Sequence, residues 1–151
     1  MKKLIIGLII AISSSGSALA QKMTIVSATQ QSWSGGVAGH YGTNYCIMLK
    51  VEKDKIGIDS LYINSEVFVP NVRLQGMAAV GKDTTERTYC ITAEESHDEN
   101  IGPLFRNTET KTSPVSHRSY KGQALIIYEL NGKKHELAVK QLTALEGIAY
   151  P

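Results

Sequence analysis

The chain has 151 residues, of which 42% are hydrophobic and 20% charged, and its formal net charge is +2. Lys2 and Lys3 account for this excess, because without them 14 of the 16 basic residues remain against 14 acidic ones. A neutral remainder gives no electrostatic reason to bind nucleic acid or anionic lipid, so we expect neither partner.

The first 20 residues have the three parts of a secretory signal peptide. A lysine pair begins the segment, the apolar run at residues 4–12 is too short to span a bilayer, and Ala18-Leu19-Ala20 fits signal peptidase. Cleavage would leave Gln21 first, where a lipoprotein needs an acylated cysteine. We therefore expect an exported protein, periplasmic or secreted, with no transmembrane anchor and one domain over residues 21–151.

The rest of the chain has an all-β pattern. Short runs rich in Val, Ile, Thr and Tyr alternate with clusters of Gly, Asn, Asp and Ser, without helical periodicity. Pro70 cannot donate to a ladder and suits an edge or a strand end. The predicted strands before the last hairpin cover residues 23–28, 44–53, 56–63, 66–72 and 87–93, with Asn64-Ser65 as a turn.

Residues 31–42 form a Gly-rich segment that we predict to be a long connection. The segment contains Trp33, which is the only tryptophan, and Tyr41. Aromatic rings beside glycines can stack on a sugar or hold a peptide, which makes Trp33 and Tyr41 the candidate ligand-binding residues. The interpretation that we favour on general grounds is that Trp33 fills one end of the core.

The two cysteines allow one covalent hypothesis. Cys46 and Cys90 each follow a tyrosine, and alternation places each on the face opposite that tyrosine. If the two strands are neighbours in register, the thiols can form a disulfide in an oxidising compartment; if not, they stay unpaired. The sequence contains no Cys-x-x-Cys motif, which argues against a redox enzyme.

A long polar connection is predicted at residues 94–119, where Pro103 and Pro114 discourage regular structure. Its first part, residues 94–100, concentrates oxygen ligands but lacks the spacing of an EF-hand. The four histidines lack paired zinc-ligand spacing. We therefore predict no metal site and no cofactor.

The strongest local prediction is a hairpin within residues 120–141. Asn131-Gly132 suits a type I′ turn between two apolar runs. The first arm is apolar on both faces and should be a central strand, and the alternating second arm should lie nearer an edge. Six or seven short antiparallel strands favour a two-sheet sandwich, immunoglobulin-like, with a small β-barrel as the alternative.

Catalytic motifs are missing from the sequence. It contains neither Gly-x-Ser-x-Gly nor His-Glu-x-x-His, so we assign no catalytic residue. We expect a non-enzymatic envelope or secreted domain that binds a protein or glycan partner through its loops. A small secreted hydrolase with an unrecognised site is the alternative.

One resemblance extends over most of the chain beyond the signal peptide. It rests on short motifs at residues 31–36 (Gln-Ser-Trp-Ser-Gly-Gly), 42–45, 58–62, 120–126 and 131–133. In their order these motifs resemble small exported proteins of Bacteroidetes with no assigned function. The resemblance implies a cell-envelope or secreted setting and assigns no catalytic or binding residue.

Overall fold

Nine β-strands make up the regular structure of the described chain. The computed structural model describes residues 23–36, 38–52, 55–81, 84–98 and 119–151. All regular elements within these ranges are strands, as predicted. They are β1 (Met23–Ser34), β2 (His40–Glu52), β3 (Gly57–Ile63), β4 (Glu66–Phe68), β5 (Asn71–Gly81), β6 (Thr84–Asp98), β7 (Ala124–Leu130), β8 (Lys133–Val139) and β9 (Thr143–Ala149).

The strands form two sheets that do not close into a barrel. One sheet has the order β5-β6-β2-β1-β9 and the other β4-β3-β7-β8. Without β9, this order matches the ABED and C′CFG sheets of the immunoglobulin arrangement. The predicted sandwich is confirmed, and the barrel alternative is wrong. One pairing departs from the antiparallel expectation, because β9 runs parallel to β1.

The core lies between the two sheets and follows the predicted alternation. On β2, Tyr45, Ile47, Leu49 and Val51 are buried, while the residues between them face outward. The other sheet contributes Leu61, Ile63 and Ile126, among others, to the same apolar cluster. We call the side of the five-stranded sheet that carries Tyr45 and Ile47 its inner face, and the opposite side its outer face.

Two tight hairpins match the sequence prediction. Asn131 and Gly132 have φ values of 51° and 74°, and Leu130 pairs directly with Lys133. Asn64 and Ser65 also have positive φ in the turn from β3 to β4. The strand β7 lies between β3 and β8, and β8 lies at an edge, so the assignment of the two arms is confirmed.

Several strands are longer than predicted. β1 extends to Ser34, β2 begins at His40 and β6 extends to Asp98. The prediction of a long connection at residues 31–42 is therefore wrong, because most of that segment pairs across β1 and β2. Pairing along three long neighbours satisfies backbone hydrogen bonds and overrides the low strand propensity of Ser and Gly.

The two edge strands of the larger sheet escaped prediction. Most of β5 and all of β9 lie outside the predicted runs, and every residue of both is exposed. A strand that buries no side chain has no selected apolar face, so it shows no alternation. Pro70 does end a strand segment, between β4 and β5, as expected from its missing N–H.

Residues 1–20 and 99–118 lie outside the described ranges. The signal peptide and most of the predicted polar connection, including Pro103 and Pro114, therefore stay predictions. Within the described ranges, no helix has the length and hydropathy needed to cross a membrane.

Candidate functional site

Trp33 and Tyr41, the two predicted ligand-binding residues, lie on opposite faces of the larger sheet. Trp33 on β1 is directly opposite Gly42 on β2, and Tyr41 immediately precedes Gly42. Successive strand residues point to opposite faces, so the two rings belong to separate surfaces. The structure therefore does not bring the two candidate residues together. Trp33 is also half-buried outside the core cluster, so the favoured interpretation of Trp33 as a core plug is wrong.

Trp33 is held in place by packing across Gly42. A Cβ atom at position 42 would lie 2.7 Å from Cζ2 of Trp33 and would also collide with the carbonyl oxygen of Glu95. The absence of a side chain lets the indole lie over the neighbouring strand, a recurrent way to cover a glycine in a sheet. The indole Nε1 is buried and has no hydrogen-bond acceptor among the described residues.

Trp33 forms part of an open cleft of about 400 Å³ on the outer face, which we call the aromatic cleft. Its other lining residues come from the turn after β1, from β2, from β6 and from the end of the chain. They are Gly35, His40, Asn44, Glu94 and Tyr150.

Backbone pairing brings these residues together. Asn44 is directly opposite Glu94 in the β2–β6 register. The N–H of Gly35 donates to the carbonyl of His40 at 2.7 Å, and the N–H of Tyr150 donates to the carbonyl of Ser34 at 2.9 Å. These bonds fix the turn and the end of the chain on either side of Trp33.

The aromatic groups of the cleft meet at steep angles. The ring of Trp33 lies 5.0 Å from that of His40 at 88°, and 6.5 Å from that of Tyr150 at 67°, between centroids. Edge-to-face packing of this kind is favourable and leaves a corner rather than a stacked pair. A carboxylate from Glu94 and an amide from Asn44 line the same space, so the cleft combines apolar ring surface with hydrogen-bonding groups.

Comparison with known protein families, with curated proteins and with solved structures found no match to this chain. The cleft is therefore interpreted from its own chemistry.

A cluster of polar and aromatic side chains lies on the inner face, beyond the core. The hydroxyl of Tyr45 donates to Oε2 of Glu95 at 3.0 Å, and Nε2 of His97 lies 2.8 Å from Oε1 of the same carboxylate. Tyr41 stacks on His97 with ring centroids 5.2 Å apart. Burial, and then the hydrogen bond to Glu95, raise the pKa of Tyr45 to about 12. This phenol therefore stays protonated and acts as a donor to Glu95.

The raised pKa of Tyr45 predicts a loss of stability at high pH. An unfolded tyrosine titrates near pH 10, so the neutral phenol stabilises the fold fully below about pH 10 and loses that contribution as pH rises towards 12. We expect Tyr45→Phe to lower the free energy of unfolding by about 1 kcal/mol at neutral pH, with the difference from the wild type shrinking above pH 10.

Urea unfolding at pH values from 8 to about 12 measures this difference. Tyr41→Phe removes an exposed hydroxyl from the same face and is the control, and we expect its free energy of unfolding at neutral pH to stay within about 0.5 kcal/mol of the wild type. A wild-type to Tyr45→Phe difference that stays constant up to pH 12 would contradict the assignment.

The cysteines lie on neighbouring strands and on the same outer face, as alternation predicted. Their register is offset, since Cys46 pairs with Thr92 and Cys90 pairs with Met48. The Sγ atoms are 3.7 Å apart and both thiols are free. A disulfide needs about 2.05 Å between sulfurs, so of the two alternatives the structure shows unpaired thiols, in a diagonal arrangement. Burial, and then the hydrogen bond to Cys90, raise the pKa of Cys46 to about 11.

The acidic run at residues 94–100 is not the loop that the sequence suggested. Its described part, up to Asp98, belongs to β6, so alternate side chains point to opposite faces. The described residues contain no cluster of three or more His, Cys, Asp or Glu that could hold a metal ion.

A second open depression, of about 370 Å³, lies on the smaller sheet, where the start of β3 meets the end of β7. Lys55, Asp59 and Glu129 line it together with backbone of β3. Asp59 is engaged by Lys134 at 3.1 Å. None of the described lining residues is aromatic, and the Asp59 carboxylate is already paired with Lys134.

Proposed function

We propose that the protein is an exported, non-enzymatic β-sandwich domain that binds a glycan in the aromatic cleft. Export is supported by the basic start, the short apolar run and the Ala18-Leu19-Ala20 site of the first 20 residues. The observation that supports a ligand is the cleft beside Trp33, where rings and polar groups converge on one open space.

A sugar ring has the chemistry that this cleft complements. One side of a pyranose presents C–H groups that pack on aromatic rings, and its hydroxyls both donate and accept hydrogen bonds. Trp33 and Tyr150 provide the rings, the carboxylate of Glu94 accepts from hydroxyls, and the amide of Asn44 donates as well as accepts. The volume of about 400 Å³ is within the range of small-molecule sites.

Trp33 belongs to the cleft and not to the apolar core. Its Nε1–H is buried without an acceptor in the described structure, which costs about 1–3 kcal/mol. The ring also lies outside the apolar cluster that holds the two sheets together. The buried nitrogen faces protein, so the indole surface that lines the cleft is the part of Trp33 available to a ligand.

Tryptophan fluorescence reports directly on the cleft, because Trp33 is the only tryptophan in the chain. We expect its fluorescence to change in a saturable way when the mature protein is titrated with di- to hexasaccharides of glucose, mannose or N-acetylglucosamine. Glu94→Gln removes a charged acceptor and should weaken binding by about 10-fold or more. Tyr41→Ala, on the opposite face of β2, is the matched control and should bind as the wild type does.

A saturable response that Glu94→Gln leaves unchanged would place the ligand elsewhere, and no response to any of these sugars would contradict glycan binding. Mass spectrometry of the sugars after incubation separates binding from hydrolysis, since cleavage products would favour the small hydrolase instead. Export is tested independently by N-terminal sequencing of the protein from its producing cell. Gln21 as the first residue is the expected result.

A further inference from the structure

Three sulfur-containing side chains occupy adjacent positions on the outer face of the larger sheet. Cys46 and Met48 are two residues apart on β2 and therefore share a face. Cys90 on β6 is directly opposite Met48 and diagonal to Cys46. All three residues are half-buried, so each side chain is partly open to solvent and partly covered by its neighbours.

The two thiols lie at hydrogen-bond distance from each other, and this separation is also close to that of two thiolates that share a metal ion. Their Sγ atoms are 3.7 Å apart. Two thiolates that each lie about 2.3 Å from one metal ion are about 3.8 Å apart in tetrahedral geometry and about 4.0 Å apart in trigonal geometry. The diagonal register holds the sulfurs at this distance without any change in the backbone pairing.

The register position of Met48, opposite Cys90, makes it the candidate for a third ligand. Directly opposed residues on one face of an antiparallel pair have Cβ atoms about 5 Å apart, within reach of a flexible thioether. Thiolate and thioether sulfurs together select a soft cation, and Cu(I) is the soft first-row ion that accepts three sulfurs. Among the described residues no group of three His, Cys, Asp or Glu is placed to hold a metal ion, so imidazole and carboxylate groups do not complete a site with the two cysteines.

A cationic residue lies opposite one of the two cysteines. Two thiolates and one Cu(I) carry a net charge of −1, and Arg73 on β5 is directly opposite Cys90 on the same face. The positions opposite Cys46 are Thr29 and Thr92, which are neutral and weak ligands for copper. The hydroxyl of Thr29 already donates to the carbonyl of Cys46 at 3.3 Å.

We propose that Cys46, Met48 and Cys90 form a three-sulfur binding site for Cu(I). Binding releases the thiol protons: one Cu⁺ joins two cysteine thiols and the thioether, and two protons leave to solvent without any change of oxidation state. Affinity should therefore rise with pH. The site is separate from the aromatic cleft and does not depend on glycan binding.

The test is an anaerobic titration of the reduced chain from residue 21 with Cu(I), in competition with a chromogenic Cu(I) chelator. We expect one Cu(I) per chain, and X-ray absorption at the copper edge showing three sulfur neighbours. Met48→Leu keeps volume and apolarity, so it should fold and lose one sulfur neighbour. Mutation of a residue that only hydrogen-bonds to a metal ligand lowers metal affinity by about 10–100-fold. Met48 is itself a proposed ligand, so its replacement should weaken Cu(I) binding by at least that factor.

Met77→Leu on β5 is the matched control, because Met77 is exposed and lies on another strand. It should bind Cu(I) as the wild type does. Failure of the reduced wild-type chain to take Cu(I) from the chelator would overturn the proposal, as would unchanged affinity and sulfur count in Met48→Leu. Recovery of the protein from its producing cell with a Cys46–Cys90 disulfide, which could not bind Cu(I), would also overturn it.

Discussion

Leu49→Ala is expected to lower the free energy of unfolding by about 2–5 kcal/mol. Leu49 is fully buried on the inner face of β2, in the cluster shared by the two sheets. Truncation removes apolar contacts and leaves a cavity that the flanking strands β1 and β6 cannot close, because they are themselves paired along most of β2. Urea unfolding followed by circular dichroism measures the loss.

Leu74→Ala is the matched control for the same chemical change. Leu74 is on the edge strand β5 and is 51% exposed. Its truncation should alter the free energy of unfolding by no more than about 0.5 kcal/mol. Equal losses in the two variants would mean that β5 is covered in solution, or that the core does not lie where the structure has it.

Gly42→Ala is expected to destabilise the fold by about 3 kcal/mol and to displace Trp33. A methyl group at this position would meet the indole on one side and the backbone carbonyl of Glu95 on the other. A side chain can turn away, but the carbonyl belongs to the β2–β6 ladder and moves only if the pairing is broken. The loss is measured by urea unfolding, and a shift of the Trp33 emission maximum reports the displacement.

Gly76→Ala is the control, because no atom of the described residues lies within 4 Å of a Cβ at that position in β5. We expect a change within about 0.5 kcal/mol, since Gly→Ala is cheap where space and φ permit it. If Gly42→Ala were as stable as Gly76→Ala and left the Trp33 emission unchanged, the close approach of Trp33 to β2 would be wrong.

The sequence predicts those parts of the fold that depend on residues close together in the chain, such as turns and the buried side of a strand. Asn131-Gly132 specifies a type I′ turn, and the alternation around Ile47 and Leu49 specifies which side of β2 is buried. The common face of Cys46 and Cys90 follows from the same alternation. The diagonal offset of these cysteines does not, since register depends on the pairing of strands that are distant in the chain.

The aromatic cleft shows where such prediction ends. Trp33 could be singled out as a lone aromatic residue among glycines, but its neighbours Asn44 and Glu94 come from long-range pairing of β2 with β6. Tyr150 enters through β9, whose exposed residues show no periodic signal. The sequence suggests a loop that holds both Trp33 and Tyr41. In the structure the two residues lie on paired strands, where alternation places them on opposite faces of the sheet.

The parallel pairing of β9 with β1 has a practical consequence for attaching the protein to a surface or a label. Because β9 runs in the same direction as β1, the last residues arrive beside the turn, where the carbonyl of Pro151 approaches Gly36. A peptide tag added after Pro151 would emerge at the rim of the aromatic cleft. The 12 residues of β1 span roughly 40 Å, so a tag joined to the chain ahead of β1 would leave that rim unobstructed.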